Sequence, residues 1–392
     1  MRFRVLQILG DSKFGGGTYL VLSWCRFLVE KGCEVALLST DNTTISKAKQ
    51  IEGLRVIRSI LIPRDPAPLQ DIKALIALLR LLKKEHFDIV HTHTSVPGFV
   101  GRLASWLARV PLRFHSAQGW PVTEFSGLGA RLIFTPLEYL AGLISKRVIC
   151  ASHATATLGR RLHIAPAHKL VTICNGIDPE PFIIAAENDS GKDLREELGI
   201  PPDCLLIGNI NRLAPQKDND SLVKAMVPLK QLLKGRPFAL LLVGDGPDRK
   251  KLENLATSLG ISEEVCFLGF RQDIPKILSA LDIFVSPSLW EGLSISLLEA
   301  MAAAKPIVTT SILPNAELIQ HEVTGLLVPP KSPEQIAEAI VRFVEEPDLA
   351  QRCAIAARQR VLEHYTIDRM FQEMWDLYIN LLHEKCPERI EG

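Results

Sequence analysis

FRVLQILGDSKFGGGTYLVLSWCRFLVEKGCEVALLST, residues 3–40, decides the fold. Residues 3–9 read as a short apolar strand, and 10–17 form a glycine loop. Residues 18–32 carry a helical pattern closed by Gly32, and 34–40 are a second apolar strand. This is a βαβ unit, the building block of a parallel sheet covered on both faces. The same rhythm continues outward. KALIALLRLLKKE (73–85) reads as an amphipathic helix, DIVHTHT (88–94) as a strand and FVGRLASWLARV (99–110) as a helix. LRFHSAQG (112–119) and RVICAS (147–152) are further short strands. The pattern lapses across 179–203, apart from a brief charged helix, LREELG. It restarts with LLIGNI (205–210), FALLLVG (238–244), VCFLGF (265–270), IFVSPS (283–288) and PIVTT (306–310). Two doubly wound α/β halves follow, with ligands expected at the carboxyl ends of the strands and the default site in the cleft between the halves. The expected division is 1–180, 181–365 and a terminal helix, 366–392. In that helix Ile367, Met370, Phe371, Met374, Trp375, Tyr378, Leu381 and Leu382 repeat at helical spacing and must pack on something.

Bulk properties agree. A chain of 392 residues exceeds one ordinary core, and 47% hydrophobic with 23% charged residues suits a soluble globular protein. Eight cysteines without a CxxC pair read as buried thiols in a reducing cytoplasm. The start, MRFRVLQILGD, lacks the pattern of a signal peptide. The most apolar stretch, LIFTPLEYLAGLIS (132–145), is short for a spanning helix and is interrupted by Pro136 and Glu138. Charge is uneven: residues 1–180 hold 23 Lys/Arg against 13 Asp/Glu, and 181–392 hold 22 against 31. Either an anionic partner meets the first half, or two solvated surfaces have drifted apart in charge. Nothing in the sequence points to nucleic acid.

Three loops carry candidate chemistry. Gly15, Gly16 and Gly17 follow the first strand. GxGxxG is absent, and Gly16 stands where a Walker lysine belongs, so the triplet is either a tight turn or bare amides that admit a ligand. In NRLAPQKDND (211–220), Arg212 and Lys217 lie at a strand's carboxyl end and suit a diphosphate. They would also stabilise charge growing on a leaving group. Asp218-Asn219-Asp220 resembles a DxD metal signature, but Asp and Asn at a helix start are natural caps, and no metal site is expected. In SLWEGLSISLLEA (288–300), the amides of Gly292, Leu293 and Ser294 sit at an expected helix start near Ser294. Were every step helical, Glu291 and Glu299 would stand roughly 12 Å apart at 1.5 Å per residue. That separation suits two ends of a nucleoside diphosphate sugar, whereas a glycosidase pair needs about 5 to 9.5 Å.

GGG (15–17), NGID (175–178), NRLAPQKD (211–218), GDGP (244–247), FLGF (267–270) and SLWEGLSISLLEAMA (288–302) together resemble glycosyltransferase family 4, retaining enzymes of the GT-B fold. The resemblance spans nearly the whole chain. It implies that Arg212 and Lys217 hold the donor diphosphate and Glu299 the ribose, while Glu291 and the following amides hold the donor sugar. Gly16, Gly17, Gly244, Gly246 and Phe270 join the implied donor site. Gly15, His91, His93 and Asn175 are the implied acceptor contacts, and His115 matches the first-domain histidine beside the transferred sugar. The implied catalytic set is His115, Arg212, Lys217 and Glu291. The tail resembles the helix that crosses back to the first domain. SILPNAE (311–317) departs from the glycine pair common in the family before the glutamate corresponding to Glu317.

Residues 88–120 are similar to bacterial members that extend polyprenol-diphosphate-linked glycans. The expected reaction is metal-independent retaining transfer of a hexosyl or N-acetylhexosaminyl unit, without a cofactor, from a UDP-sugar to such an acceptor. The protein would lie on the inner face of the membrane. Lys73, Arg80, Lys83 and Lys84 flank an apolar helix face, as in an interfacial helix or an ordinary core helix. A soluble sugar or sugar-phosphate acceptor, and a non-catalytic nucleotide-sugar binder, are the alternatives. A dehydrogenase is opposed by the missing GxGxxG.

Overall fold

The computed structural model describes residues 3–122 and 126–385. It divides into two compact units, Met1–Cys174 with Met370–Gly392, and Asn175–Arg369. The first unit is built on seven strands: β1 Arg4–Gly10, β2 Glu34–Ser39, β3 Arg55–Ile57, β4 Ile89–His93, β5 Leu112–Ala117, β6 Arg147–Cys150 and β7 Leu170–Thr172. They pair in parallel in the order β3-β2-β1-β4-β5-β6-β7. The second unit has β8 Leu205–Ile210, β9 Phe238–Val243, β10 Val265–Gly269, β11 Ile283–Ser286, β12 Ile307–Thr310 and β13 Leu326–Val328, paired in parallel as β10-β9-β8-β11-β12-β13. Both are doubly wound Rossmann-like sheets, the two domains of the GT-B class. The strand order reverses beside β1 in one and beside β8 in the other, and ligands of such sheets bind outside the carboxyl ends at these points.

Central strands are buried along nearly their whole length, which is why they read as apolar runs rather than alternating ones. β3, β7 and β13 have three residues each, too short for a periodic signal. The lapse at 179–203 contains two short helices, Glu180–Glu187 and Gly191–Glu197. SILPNAE forms the helix Leu313–Leu318, tied to β12 by the Asn315 amide, which donates to Thr309 Oγ1 at 2.8 Å and Thr310 Oγ1 at 3.2 Å. The terminal helix Ile367–Lys385 buries its apolar stripe in the first unit. Phe371 lies 5.3 Å from Trp24, Trp375 lies 5.8 Å from Phe3, and Tyr378 stacks on Phe114 at 4.8 Å.

The helix Pro68–Glu85 is a core helix along one face. Ala74, Leu78 and Leu82 join the cluster under β1 and β4, while Leu69, Ile72 and Ile76 of the same helix remain exposed among Lys73 and Arg80. A larger uncovered apolar face belongs to the helix Leu128–Ile144. Leu128, Leu132, Ile133, Leu137, Leu140 and Leu143 are exposed on it, Leu132 at 74%. Glu138, which interrupts this stretch in the sequence, turns inward and pairs with Arg102 at 2.7 Å, so the other charge of the helix is the half-buried Arg131 near its start. Among the described residues no helix is long and apolar enough to cross a membrane. The seven described cysteines are free thiols, all but Cys266 buried, and Cys386 lies outside the described residues.

Candidate active site

In the first unit the helix Gly16–Glu30 begins one residue after Gly15, just beyond β1. Gly15 has extended φ, which any residue adopts, and a Cβ at Gly15 or Gly17 would meet nothing within 4 Å. A tight turn therefore does not explain these glycines. They leave open space beside the first amides of a helix, where an anion or hydroxyl can be received.

Three buried histidines stand on β4 and β5. His91 has both ring nitrogens engaged, Nδ1 with Tyr378 Oη at 2.6 Å and Nε2 with Ser116 Oγ at 2.8 Å. It has no polar atom left for an acceptor, which removes it from the expected acceptor set and makes it a structural anchor. His93 stacks on it at 4.5 Å and bonds Gln7 Oε1 through Nε2 at 2.8 Å, while its Nδ1 is buried without a partner. Burial pushes the pKa of His93 down to about 3. His115 contacts Thr92 Oγ1 through Nδ1 at 3.0 Å. Burial first, then the Arg102 charge and the neighbouring histidines, hold it well below the ordinary histidine range. It is a neutral imidazole, suited to hydrogen bonding rather than to carrying charge. Its place depends on Gly98, in the helix Ser95–Leu107: a methyl there would fall on the His115 ring. The Gly98 carbonyl also accepts from Arg102 Nε at 2.9 Å.

In the second unit Arg212 follows β8, is exposed, and makes no hydrogen bond or ion pair among the described residues. Its loop is backed by the one after β9. A Cβ on Gly244 would run into the Asn211 carbonyl, and one on Gly246 into that of Leu213. These two glycines thus let one loop lie against the other and support Arg212. Phe270, just past β10, presents a ring 57% exposed, an apolar face available to a base.

Lys217 ends the 3₁₀ turn Pro215–Lys217 and ion-pairs with Glu291. Glu291 Oε1 also accepts from Ser288 Oγ at 2.7 Å, and Oε2 has only a 3.4 Å contact from Gln216. Gln216 Nε2 donates to the Trp290 carbonyl at 2.7 Å, and its own carbonyl accepts from Leu289 N at 2.9 Å. The two loops are stitched together, so Lys217 and Glu291 act as one unit, with acceptor capacity remaining on Oε2. The following helix is Ile295–Ala302, with Ser294 at its N-cap. Residues 291–294 are not helical, so the uniformly helical spacing between Glu291 and Glu299 does not apply. Gly292, Leu293 and Ser294 are buried ahead of the helix. Glu299 is half-buried by surface area and has no partner among the described residues, and desolvation pushes its pKa up to about 8.

Asp218, Asn219 and Asp220 do not converge: Asn219 bonds Asn211 at 3.1 Å, and Asp220 pairs with Lys251 at 2.6 Å. Asn175 is buried at the head of NGID, a segment that lies along residues 365–367. Ile177 N donates to Tyr365 O at 2.9 Å, and Ile367 N to Ile177 O at 2.8 Å. Sequence reasoning missed the supporting residues, Gly98, Gln216 and Tyr378. None of the three stood out in the sequence: Gly98 lay just ahead of the helical pattern read over 99–110, and the structure starts that helix earlier, at Ser95.

Comparison with known proteins follows the same division. Residues 14–181 match the model of Glycosyltransferase Family 4, and residues 191–360 that of Glycosyl transferases group 1. The chain is 31% identical over 338 residues to the UDP-Gal:alpha-D-GlcNAc-diphosphoundecaprenol alpha-1,3-galactosyltransferase of Escherichia coli, covering 84% of this chain and 85% of that one. It is 28% identical to the D-inositol 3-phosphate glycosyltransferase of Saccharomonospora viridis, over 75% of this chain and 70% of that one. Anabaena Alr3699/HepE in complex with UDP and glucose has the same fold, with a TM-score of 0.82 at 22% identity, covering 96% of this chain and 100% of that one.

Proposed function

The chain belongs to glycosyltransferase family 4, and on that premise we propose that it is a retaining, metal-independent enzyme moving a hexosyl or N-acetylhexosaminyl unit from a UDP-sugar to a lipid-diphosphate-linked glycan. The observation that carries the donor side is Glu299. A desolvated carboxyl without a partner is costly unless something donates to it, and two vicinal hydroxyls of a ribose are suited to do so. Arg212, exposed and uncommitted, offers a guanidinium fork to the diphosphate, and Phe270 a face to the base. The UDP in the names of the Escherichia coli relative and of the Anabaena complex supports uracil as that base.

In the reaction Arg212 and Lys217 take up the charge on the departing diphosphate, which leaves no need for a divalent ion. Glu291 holds the Lys217 ammonium through one oxygen and accepts a sugar hydroxyl on the other. The acceptor hydroxyl enters on the face the leaving group vacates, giving retention, and its proton passes to the departing diphosphate. Glu291 is tied to Lys217 and Ser288 and is assigned to the sugar rather than to a covalent intermediate. Neutral His115 hydrogen-bonds the sugar.

The acceptor named for the Escherichia coli relative supports a polyprenol-diphosphate substrate, and the uncovered apolar face of Leu128–Ile144 supports work at the inner face of a membrane. A soluble sugar phosphate is the second reading, favoured by the Saccharomonospora viridis relative. The purified protein would be given UDP- and GDP-sugars with and without a short-chain polyprenyl-diphosphate sugar, in EDTA, and product anomers read by NMR. Transfer only with UDP-sugar and lipid, with the donor's anomeric configuration kept, is expected. Transfer to soluble sugar phosphates alone, or loss of turnover in EDTA restored by a divalent ion, would overturn the corresponding part.

A further inference from the structure

The first unit has a second concavity, at the ends of its strands away from the histidines. A cavity of about 590 Å³ opens where β5, β6 and β7 begin. Arg109, Arg113, Lys146, Arg147, Lys169 and Lys385 line it, with no acidic side chain among the lining residues. Backbone carbonyls orient several of these cations. Arg113 Nε donates to Ile144 O at 2.7 Å, Arg147 Nη1 to Lys146 O at 2.9 Å, and Lys169 Nζ to Ser145 O at 2.6 Å as well as to Leu143 O. These bonds fix positions without cancelling charge. The carboxylate nearby is that of Glu384, 3.2 Å from Lys146 and 58% exposed, where an ion pair is weakly held.

The crowding has an electrostatic signature. Burial first, then Arg113, Arg147 and Lys146, hold Lys169 below the ordinary lysine range, and burial holds Arg113 below its own. Among the described residues these like charges have a single, exposed counter-charge at Glu384, and an anion entering the cavity would relieve the remaining repulsion. Guanidinium forks and ammonium groups converging on one concavity match the oxygens of a phosphate.

We propose that this cavity binds a phosphate-bearing anion, at a site separate from the donor and acceptor machinery, and that a phospholipid headgroup occupies it when the protein lies on a membrane. The rim argues for the lipid. Trp106 lines the cavity and is exposed, Leu107 beside it is exposed, and the backbone at 143–145 joins the cavity to the end of the apolar helix face, where Leu140 and Leu143 project. Headgroup oxygens and acyl chains would thus meet a basic hollow and an apolar helix face in continuity. The choice of lipid as the source rests on the membrane-side reading of the acceptor; the phosphate site itself does not.

The test uses the full chain and vesicles without any glycan acceptor. Wild type should co-sediment with phosphatidylcholine vesicles containing phosphatidylglycerol and not with pure phosphatidylcholine. Arg109→Gln with Lys385→Gln, two exposed positions, should weaken this about thirtyfold, from about 1 kcal/mol per basic side chain at an anionic surface. Lys83→Gln with Lys84→Gln removes equal charge from the end of the helix Pro68–Glu85, away from this cavity, and should leave partition within threefold of wild type. Stabilisation by inorganic phosphate that the Arg109/Lys385 pair abolishes, without vesicle binding, would keep the site and assign it to a soluble phosphate ester. Equal losses in both pairs, or none in the first without a phosphate effect, would overturn the proposal. Turnover of a soluble short-chain acceptor should be unchanged in the Arg109/Lys385 pair. Failure of that turnover in wild type would count against the proposed reaction and not against this site.

Discussion

The two sheets share a strand order through six strands, yet their carboxyl ends are finished in opposite ways. Above β4 and β5 the polar groups are largely closed on one another: His91 on Tyr378 and Ser116, His93 on Gln7, His115 on Thr92. Beyond β8, β10 and β11 the groups are open, with Arg212 uncommitted, Phe270 exposed and Glu299 without a partner. A common framework thus carries a hydrogen-bonded, neutral end in one unit and a charged, incompletely satisfied end in the other. Fold alone does not distinguish them; whether their polar groups are already engaged with one another does. The open end is where a ligand gains most, because it supplies bonds that the protein leaves unmade.

The largest effect should come from breaking the open end. Lys217→Ala removes charge from the leaving-group position and strands Glu291, and should lower kcat by about 10²–10³-fold. Single-turnover kinetics would read this, and a variant retaining wild-type turnover would contradict the assignment. Gly98→Ala reaches the closed end through packing: its methyl displaces the His115 ring, and misplacement on the order of 1 Å should cost about 10²-fold in kcat. The fold should survive, as circular dichroism would show, because the neighbouring helix residues are unchanged.

Glu299 gives a smaller, pH-dependent effect. Its free-state pKa of about 8 lies above the ordinary 4.5, so the folded protein holds a proton that the unfolded chain releases. Stability of the free protein therefore falls as pH rises from about 4.5 to 8 and levels off above, through this group. A ribose that donates to the carboxylate favours its ionised form, so UDP affinity should rise with pH, by up to about tenfold per unit, and flatten above pH 8. Calorimetric titration from pH 6 to 9 would show the slope, and Glu299→Gln should abolish it. A flat wild-type profile would argue against the carboxylate as the ribose contact. The smallest change in activity belongs to Tyr378→Phe, which leaves a buried His91 nitrogen unsatisfied. It should cost about 1–3 kcal/mol in urea unfolding while kcat stays within twofold.

Much of this was legible along the chain. β8 coincides with LLIGNI, β9 with FALLLV, and the apolar stripe of the tail is buried apart from Ile367 and Trp375, half-buried at its helix face. Buried parallel strands and amphipathic helices announce themselves because their burial is local and periodic. The loops bearing Arg212, Lys217 and Glu291 were likewise marked by residue type at strand ends. The two readings of the helix bearing Lys73 to Lys84 were not separable in sequence, because whether an apolar side chain is covered depends on its neighbours: Ala74, Leu78 and Leu82 are covered, and Leu69, Ile72 and Ile76 are not. Glu138 did mislead, since a charge that breaks a stretch on paper is turned inward to Arg102 in space.

The amino-acid sequence by itself determined the two doubly wound halves, the glycine loops, and the residue types at strand ends proposed to hold the donor, because each is set by short-range pattern and chemical type. Tertiary structure alone decided which of those groups are already satisfied. His91 is closed by a tyrosine 287 positions away, Glu291 is claimed by Lys217 across 74, and Glu299 is left to a ligand. Hydrogen-bond partners and desolvation come from chains meeting in space, and no local pattern encodes them.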